Sequence, residues 1–438
     1  MHSAERNKTM LLNFAVTNYR SIKERQVFSM LAVDSLPHEE SLIHSKDGIS
    51  ILPVALLFGA NASGKSNILR AFGTMRRMVL NSVRLNPDDA LDDYEPFLLD
   101  EESRNKNTEF EAEFTIRGEG GIEQLYRYGF AFSGSLITEE WLYRHEESKE
   151  IELFSRDGVL VYVNDEAFPG GNYKEGTLAS NRLFLSLVAQ LNGEKAKEII
   201  DWFKKIPSPT DMYKEKDMSV TLSLLRAKEE DMANKYKEYT QLALTFLSNI
   251  DVSIKNLSIE EVPITLPDNI PEDFKKLLSA LDGHTSPILV SKHNRYNKQE
   301  EIIGTEVFSI EEKESEGTKK IARLLGPIFI TLSEGRLLVI DELDAKLHPL
   351  LTRAIIQLFT NPKINQNGAQ LIFTTHDTNQ LHLDYVRRDE IWFTEKSCVE
   401  ATELYSHIEF KDFDPSMDIT EQYVNGRYGA IPRIKVQR

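Results

Sequence analysis

The sequence predicts an α/β protein: a mixed sheet carrying a glycine-rich loop, with an antiparallel β-subdomain and a mostly helical insertion. Three observations predict it. The spacing Gly59-x-x-x-x-Gly64-Lys65-Ser66 lies between an apolar run and an amphipathic one, the strand–loop–helix setting of a phosphate-binding loop. A second apolar run, Leu337–Ile340, ends in Asp341-Glu342, placing acids at the C-terminal edge of a parallel strand, where open α/β folds bind ligands. Between the two, residues 108–163 alternate apolar and polar positions several times over, as antiparallel strands do.

In chain order, Leu11–Ile22 and Glu24–Leu31 read as two strands, and Ile49–Phe58 as one nearly continuous strand buried on both faces. Ile68, Leu69, Phe72, Met75, Val79 and Leu80 recur at helical intervals after the loop. Thr108–Ile116 and Leu125–Phe132 alternate cleanly, and Ile137–Arg144 and Val159–Asn164 continue the same sheet. From about Gly176 the pattern becomes helical, through Asn181–Leu191, Lys195–Ile206 and Leu222–Ile250. A further helix over Asp268–Gly283 is punctuated by Pro271 near its first turn and by the glycine at its end. Strands over Ser286–Asn294 and Thr305–Glu312 precede a helix starting near Thr318. The expected organisation is an N-terminal lobe over 1–165, a mostly helical insertion over 166–285 and a C-terminal lobe over 286–438.

A chain of 438 residues with 41% hydrophobic residues can bury a sizeable core. Its single cysteine, Cys398, excludes a disulfide framework and a cysteine-rich zinc site, and fits a reducing, cytoplasmic setting. No apolar run reaches membrane-spanning length, so no membrane is expected as a partner. The formal net charge of −17 is the reverse of a general nucleic-acid binder. Contact with nucleic acid would need a local basic patch, such as Arg76-Arg77, Lys292–Lys298, Lys319-Lys320-Arg323, or Arg427 with the tail residues Arg433, Lys435 and Arg438.

The loop chemistry is one of backbone donors. Gly59 and Gly64 let consecutive N–H groups of the loop, which includes Asn61, Ser63 and Asn67, turn inward, and the new helix adds its positive end. Lys65 would then reach the β- and γ-phosphates of ATP, and the Ser66 hydroxyl would ligate Mg2+. Asp341 would hold the metal directly or through water, and Glu342 would orient and deprotonate the water attacking the γ-phosphate. His376, at the end of the buried run Ala369–Thr375, would hydrogen-bond the γ-phosphate and that water. Ser315 and Gly317 precede an amphipathic helix; simple capping explains them, and so does a helix end facing the γ-phosphate in a second subunit.

In order, "GANASGKSN", "ESEGTKK", "LLVIDE", "LDAKLHP" and "TTH" resemble the ABC-type ATPase core of chromosome-maintenance (SMC), RecF-like and Rad50-like proteins. The chain is most similar to stand-alone bacterial AAA-family ATP-binding proteins of anti-phage defence, of the abortive-infection, Rlo or PARIS type. The opening "NFAVTNYRSIKE" and closing "YVNGRYGAIPRI" look like the ends of that group. The resemblance implies that Lys65 and Ser66 bind phosphate and magnesium, Asp341 assists the metal, Glu342 is the base and His376 the switch. It implies Asp344 at a dimer interface, and it matches Ser315 and Gly317 to the serine and second glycine of the ABC signature. Here Glu316 stands for the first glycine of that signature, Thr318 for its glutamine, and Ala62 for a glycine of the phosphate loop. No residue matches the Q-loop glutamine, whose region "YEPFLLD" occupies.

The function implied is an ATPase that forms a homodimer through ATP, with assembly beyond the dimer left open. It would regulate a separate effector, a nuclease of Toprim, HNH or RNase-like type. The competing expectation is a RecF- or Rad50-like repair ATPase that binds DNA across its head dimer.

Overall fold

Why a phosphate loop sits between residues 59 and 64 follows from the strand that leads into it. In the computed structural model of the protein, residues 9–45, 48–117, 123–146, 149–174, 176–206, 218–226, 233–250, 254–263, 285–414 and 417–432 are described. The helix expected over Asp268–Gly283 and the basic positions Arg433, Lys435 and Arg438 lie outside them. The chain divides into two units, one of Met1–Tyr213, Glu334–Ala345 and Pro349–Arg438, the other of Lys214–Ser333 and Lys346–His348.

In the first unit a five-stranded sheet runs in the order Leu337–Ile340, Gln370–Thr374, Val54–Gly59, Ile391–Lys396, Thr402–Ser406. The first four strands are parallel and the last is antiparallel. Val54–Gly59 and Gln370–Thr374 are buried throughout, as a central parallel strand must be. Register then positions the chemistry. Ile340 pairs with Phe373 and Thr374 with Leu57, so Asp341, Thr374 and the start of the loop emerge along one sheet edge.

A seven-stranded antiparallel sheet forms the second layer of this unit. Its order is Leu160–Val163, Lys149–Asp157, Ile137–Glu146, Glu123–Phe132, Thr108–Arg117, Thr9–Thr17, Gln26–Ser29. The helix Lys65–Asn81 packs between the layers: Ile68, Leu69 and Phe72 meet Leu11, Phe14 and Phe28 of one sheet and Val339 and Ile372 of the other. Phe72 meets the Phe14 ring edge-on at 5.2 Å. Each such buried side chain contributes about 1.5–3 kcal/mol. The sheets are also stitched directly, because the buried Gln370 side chain accepts from Leu11 N at 2.8 Å and donates to Leu11 O at 3.0 Å.

The expected mixed α/β fold with an antiparallel subdomain is present. One local expectation is corrected, and one strand goes beyond the sequence reading. The run Ile49–Phe58 is not one strand: Ser50–Ile51 pairs with Ile43–His44, and Val54–Gly59 enters the parallel sheet. Pro53 lies between them and has no N–H to donate to a ladder. The strand Lys149–Asp157 lacks a clean alternation in the sequence and is held by neighbours on both sides.

The second unit carries helices Ser219–Arg226, Ala233–Ile250 and most of Glu316–Glu334. It also holds an antiparallel sheet of Asn256–Pro263, Thr285–Tyr296 and Ile302–Ser309. Pro327 sits inside the long helix and cannot donate to the carbonyl four residues back. The buried Thr221 hydroxyl serves that break, lying 3.2 Å from Arg323 O and 2.8 Å from Ala322 O while accepting from Gly326 N at 2.9 Å. Gly326 has no side chain to keep the two helices apart, for a Cβ there would overlap the backbone of Val220 and Thr221.

Candidate functional site

The loop is shaped by what its glycines omit. Gly59 has φ +156° and a Cβ on it would come within 2.6 Å of Ser63 Oγ and Thr394 O. Gly64, with φ +115°, opens the helix Lys65–Asn81, and a Cβ there would overlap the Thr402 side chain. Ala62 takes the left-handed conformation, at φ 64°, without being glycine.

A lattice of hydroxyls holds the loop from beneath. Ser63 Oγ and Thr394 Oγ1 lie 2.6 Å apart, Thr402 Oγ1 donates to Ser63 O at 2.8 Å, and Ser21 Oγ lies 2.8 Å from Thr402 Oγ1. Asn67 Nδ2 donates to Ser21 Oγ at 2.7 Å.

Lys65 is only 6% exposed, and its ammonium donates to Gly59 O at 2.8 Å and Ala60 O at 3.2 Å. Burial pushes its pKa down to about 8, against the opposing pull of Asp341, Glu342 and Asp344. Ser66 Oγ donates to Asp341 Oδ1 at 3.0 Å, and Thr374 Oγ1 donates to the same oxygen at 2.6 Å. Thr374 Oγ1 in turn accepts from Glu342 N at 2.7 Å. That contact fixes Glu342 in a left-handed conformation, φ 51°, which a glutamate rarely adopts and which clusters at functional sites. His376 N donates to Asp344 Oδ2 at 3.3 Å, and Asp344 Oδ1 is buried with no hydrogen-bond partner among the described residues. Burial and the Lys65 charge lower the His376 pKa, favouring the neutral ring.

Residues 61–67, Glu342 and His376 line one open cleft of about 420 Å³, a volume suited to a nucleotide's phosphates. The donor set fits a hard divalent cation: a hydroxyl and a carboxylate, Ser66 and Asp341, at the mouth of a cradle that a Cβ would fill. Gly59, Asn61, Ser63, Gly64, Lys65, Ser66, Asn67, Asp341, Glu342, Asp344 and His376 therefore meet in the first unit.

Ser315 and Gly317 belong to the second unit and form their own local structure. Ser315 Oγ accepts from Thr318 N at 3.2 Å, a helix cap. A Cβ on Gly317 would lie 3.0 Å from Lys346 O. Glu316 binds Lys319 at 3.0 Å and Lys346 at 3.2 Å, which hold its carboxyl below the usual range.

Sequence reasoning missed Ser21, Thr374, Thr394 and Thr402. Thr374 opens "TTH", two positions before His376, the residue of that run whose chemistry is legible. The others carry no local signal: strand pairing brings Thr394 and Thr402 under the loop, and Ser21 sits on a turn whose carbonyl accepts from Thr402 N.

The family described as "AAA domain, putative AbiEii toxin, Type IV TA system" matches residues 54–384, more than half of the chain. Solved structures with a related outline include an SMC head bound to the C-winged helix domain of ScpA. It is 13% identical, with 90% of this chain and 97% of that chain covered and a TM-score of 0.46. The SMC head domain from Thermotoga maritima is 11% identical over 90% of this chain and 98% of that one, with a TM-score of 0.36. No curated protein matches the sequence. Among the described residues no helix is long and apolar enough to cross a membrane.

Proposed function

The chain belongs to that AAA-domain family, and on this premise we propose that it is a magnesium-dependent ATPase that closes as a homodimer around ATP and regulates a separate effector, a nuclease, in anti-phage defence. The observation that carries the reading is the meeting of Lys65, Ser66, Asp341, Glu342 and His376 in one cleft. In it, Lys65 and the loop N–H groups bind the triphosphate, and Ser66 and Asp341 hold Mg2+. The ion, when bound, neutralises charge developing on the transferring phosphoryl group. Glu342 orients the attacking water and takes its proton, and neutral His376 hydrogen-bonds the γ-phosphate. Ser315 and Gly317 of a second copy cap that phosphate, with Asp344 at the interface. The net charge of −17 favours an effector protein over nucleic acid as the direct partner.

The test is Glu342→Gln. It is expected to bind ATP, to lose turnover by on the order of 10²-fold or more, and to elute as an ATP-dependent dimer in size-exclusion chromatography. Unchanged turnover would remove Glu342 from its role. The wild-type chain alone is expected to cleave neither DNA nor RNA, because the effector is separate.

A further inference from the structure

Glu314 stands immediately before Ser315, at the kink between the short helix Ile310–Lys313 and the long helix Glu316–Glu334. The backbone there is extended, φ −82° and ψ 164°, so the chain direction changes at this residue. Its neighbours Ser315 and Glu316 are exposed, yet the Glu314 carboxylate turns inward and is only 10% exposed. Oε1 accepts from His293 Nε2 at 2.7 Å and from Ser291 Oγ at 2.5 Å, and those two donors are 3.1 Å apart. Both come from the middle strand, Thr285–Tyr296, and Ser291 is fully buried. The His293 ring is set by Phe308, 4.8 Å away on the next strand.

Across the kink, Glu311 receives Arg323 in a paired contact, at 2.8 and 3.0 Å. The exposed ion pairs of Glu316 with Lys319 and Lys346 cannot fix this turn, since such pairs contribute little in water. A carboxylate out of solvent, held by two donors on a sheet, can fix it.

We propose that Glu314, gripped by His293 and Ser291, is the positioning residue for the Ser315–Gly317 turn, and so sets the geometry of the ATP site that this turn completes in a second copy of the chain. The inference rests on the dimeric reading above. Glu314 does not touch the nucleotide; it acts through Ser315.

Glu314→Ala keeps its own phosphate loop intact, so it binds ATP as the wild type does. Its turnover falls by on the order of 10²-fold, the penalty for misplacing a group that acts in the transition state. Glu314→Gln still accepts from both donors and keeps most of the turnover. Mixing then separates the roles. Glu314→Ala with Lys65→Ala pairs one sound loop with one sound turn, and turnover returns; Ser315→Ala with Lys65→Ala does the same. Return with Ser315→Ala but not with Glu314→Ala overturns the role of Glu314 and leaves the dimeric reading standing. Return with neither overturns the dimeric reading itself. Wild-type turnover in unmixed Glu314→Ala overturns the inference outright. Should Glu314→Ala fail to fold, His293→Phe, which keeps a ring on Phe308 and removes one donor, carries the same mixing test.

Discussion

Lys65 gives the site a proton balance of its own. Its pKa is pushed down to about 8 from 10.5 because burial penalises the ammonium. Below about pH 8 both folded and unfolded chains hold the proton, and the folded state bears the full cost. Between about 8 and 10.5 the unfolded chain keeps the proton that the folded chain has lost, so stability rises with pH across that window. A bound triphosphate restores the ammonium. ATP binding at pH 8 is therefore expected to take up about half a proton per site, and almost none at pH 6. Calorimetry in buffers of different ionisation heat measures this directly, and a pH-independent result would show that Lys65 does not face the phosphates.

Elements show where local pattern suffices and where it does not. The loop, its helix and the acidic strand end were legible because each is written in a few adjacent residues: two glycines at fixed spacing, an apolar run, a pair of acids. Thr394 and Thr402 were not, because they meet Ser63 only through pairing of strands more than three hundred positions away in the chain. Pro53 was visible, but its effect depends on which ladder each half of the run joins. The Thr221 hydroxyl at the Pro327 break is another such long-range contact, and it carries a prediction. Thr221→Val leaves the Gly326 N–H and the Ala322 and Arg323 carbonyls without the hydroxyl they share, and should cost about 1–3 kcal/mol in urea unfolding. Thr221→Ser keeps the hydroxyl and should cost less; equal losses would mean that packing of the methyl group, and not the hydrogen bonds, matters at that helix.

For the whole molecule, the fold class agrees with what the family match leads one to expect, while the links between sheets carry no signal in the sequence. Gln370 is the clearest of these, a side chain that imitates a strand and clasps Leu11 from 359 positions away. The strand Val54–Gly59 is likewise flanked by Gln370–Thr374 and Ile391–Lys396. During synthesis the strand that leads into the glycine cradle is thus made early but lacks both partner strands until nearly all of the polypeptide has been made. Nascent chains stalled before residue 370 should fail to retain nucleotide, and chains released past residue 406 should retain it. The cell must shelter that unfinished, apolar half-sheet in the interval, and termination before residue 370 would yield material destined for aggregation or proteolysis rather than a nucleotide-binding fragment.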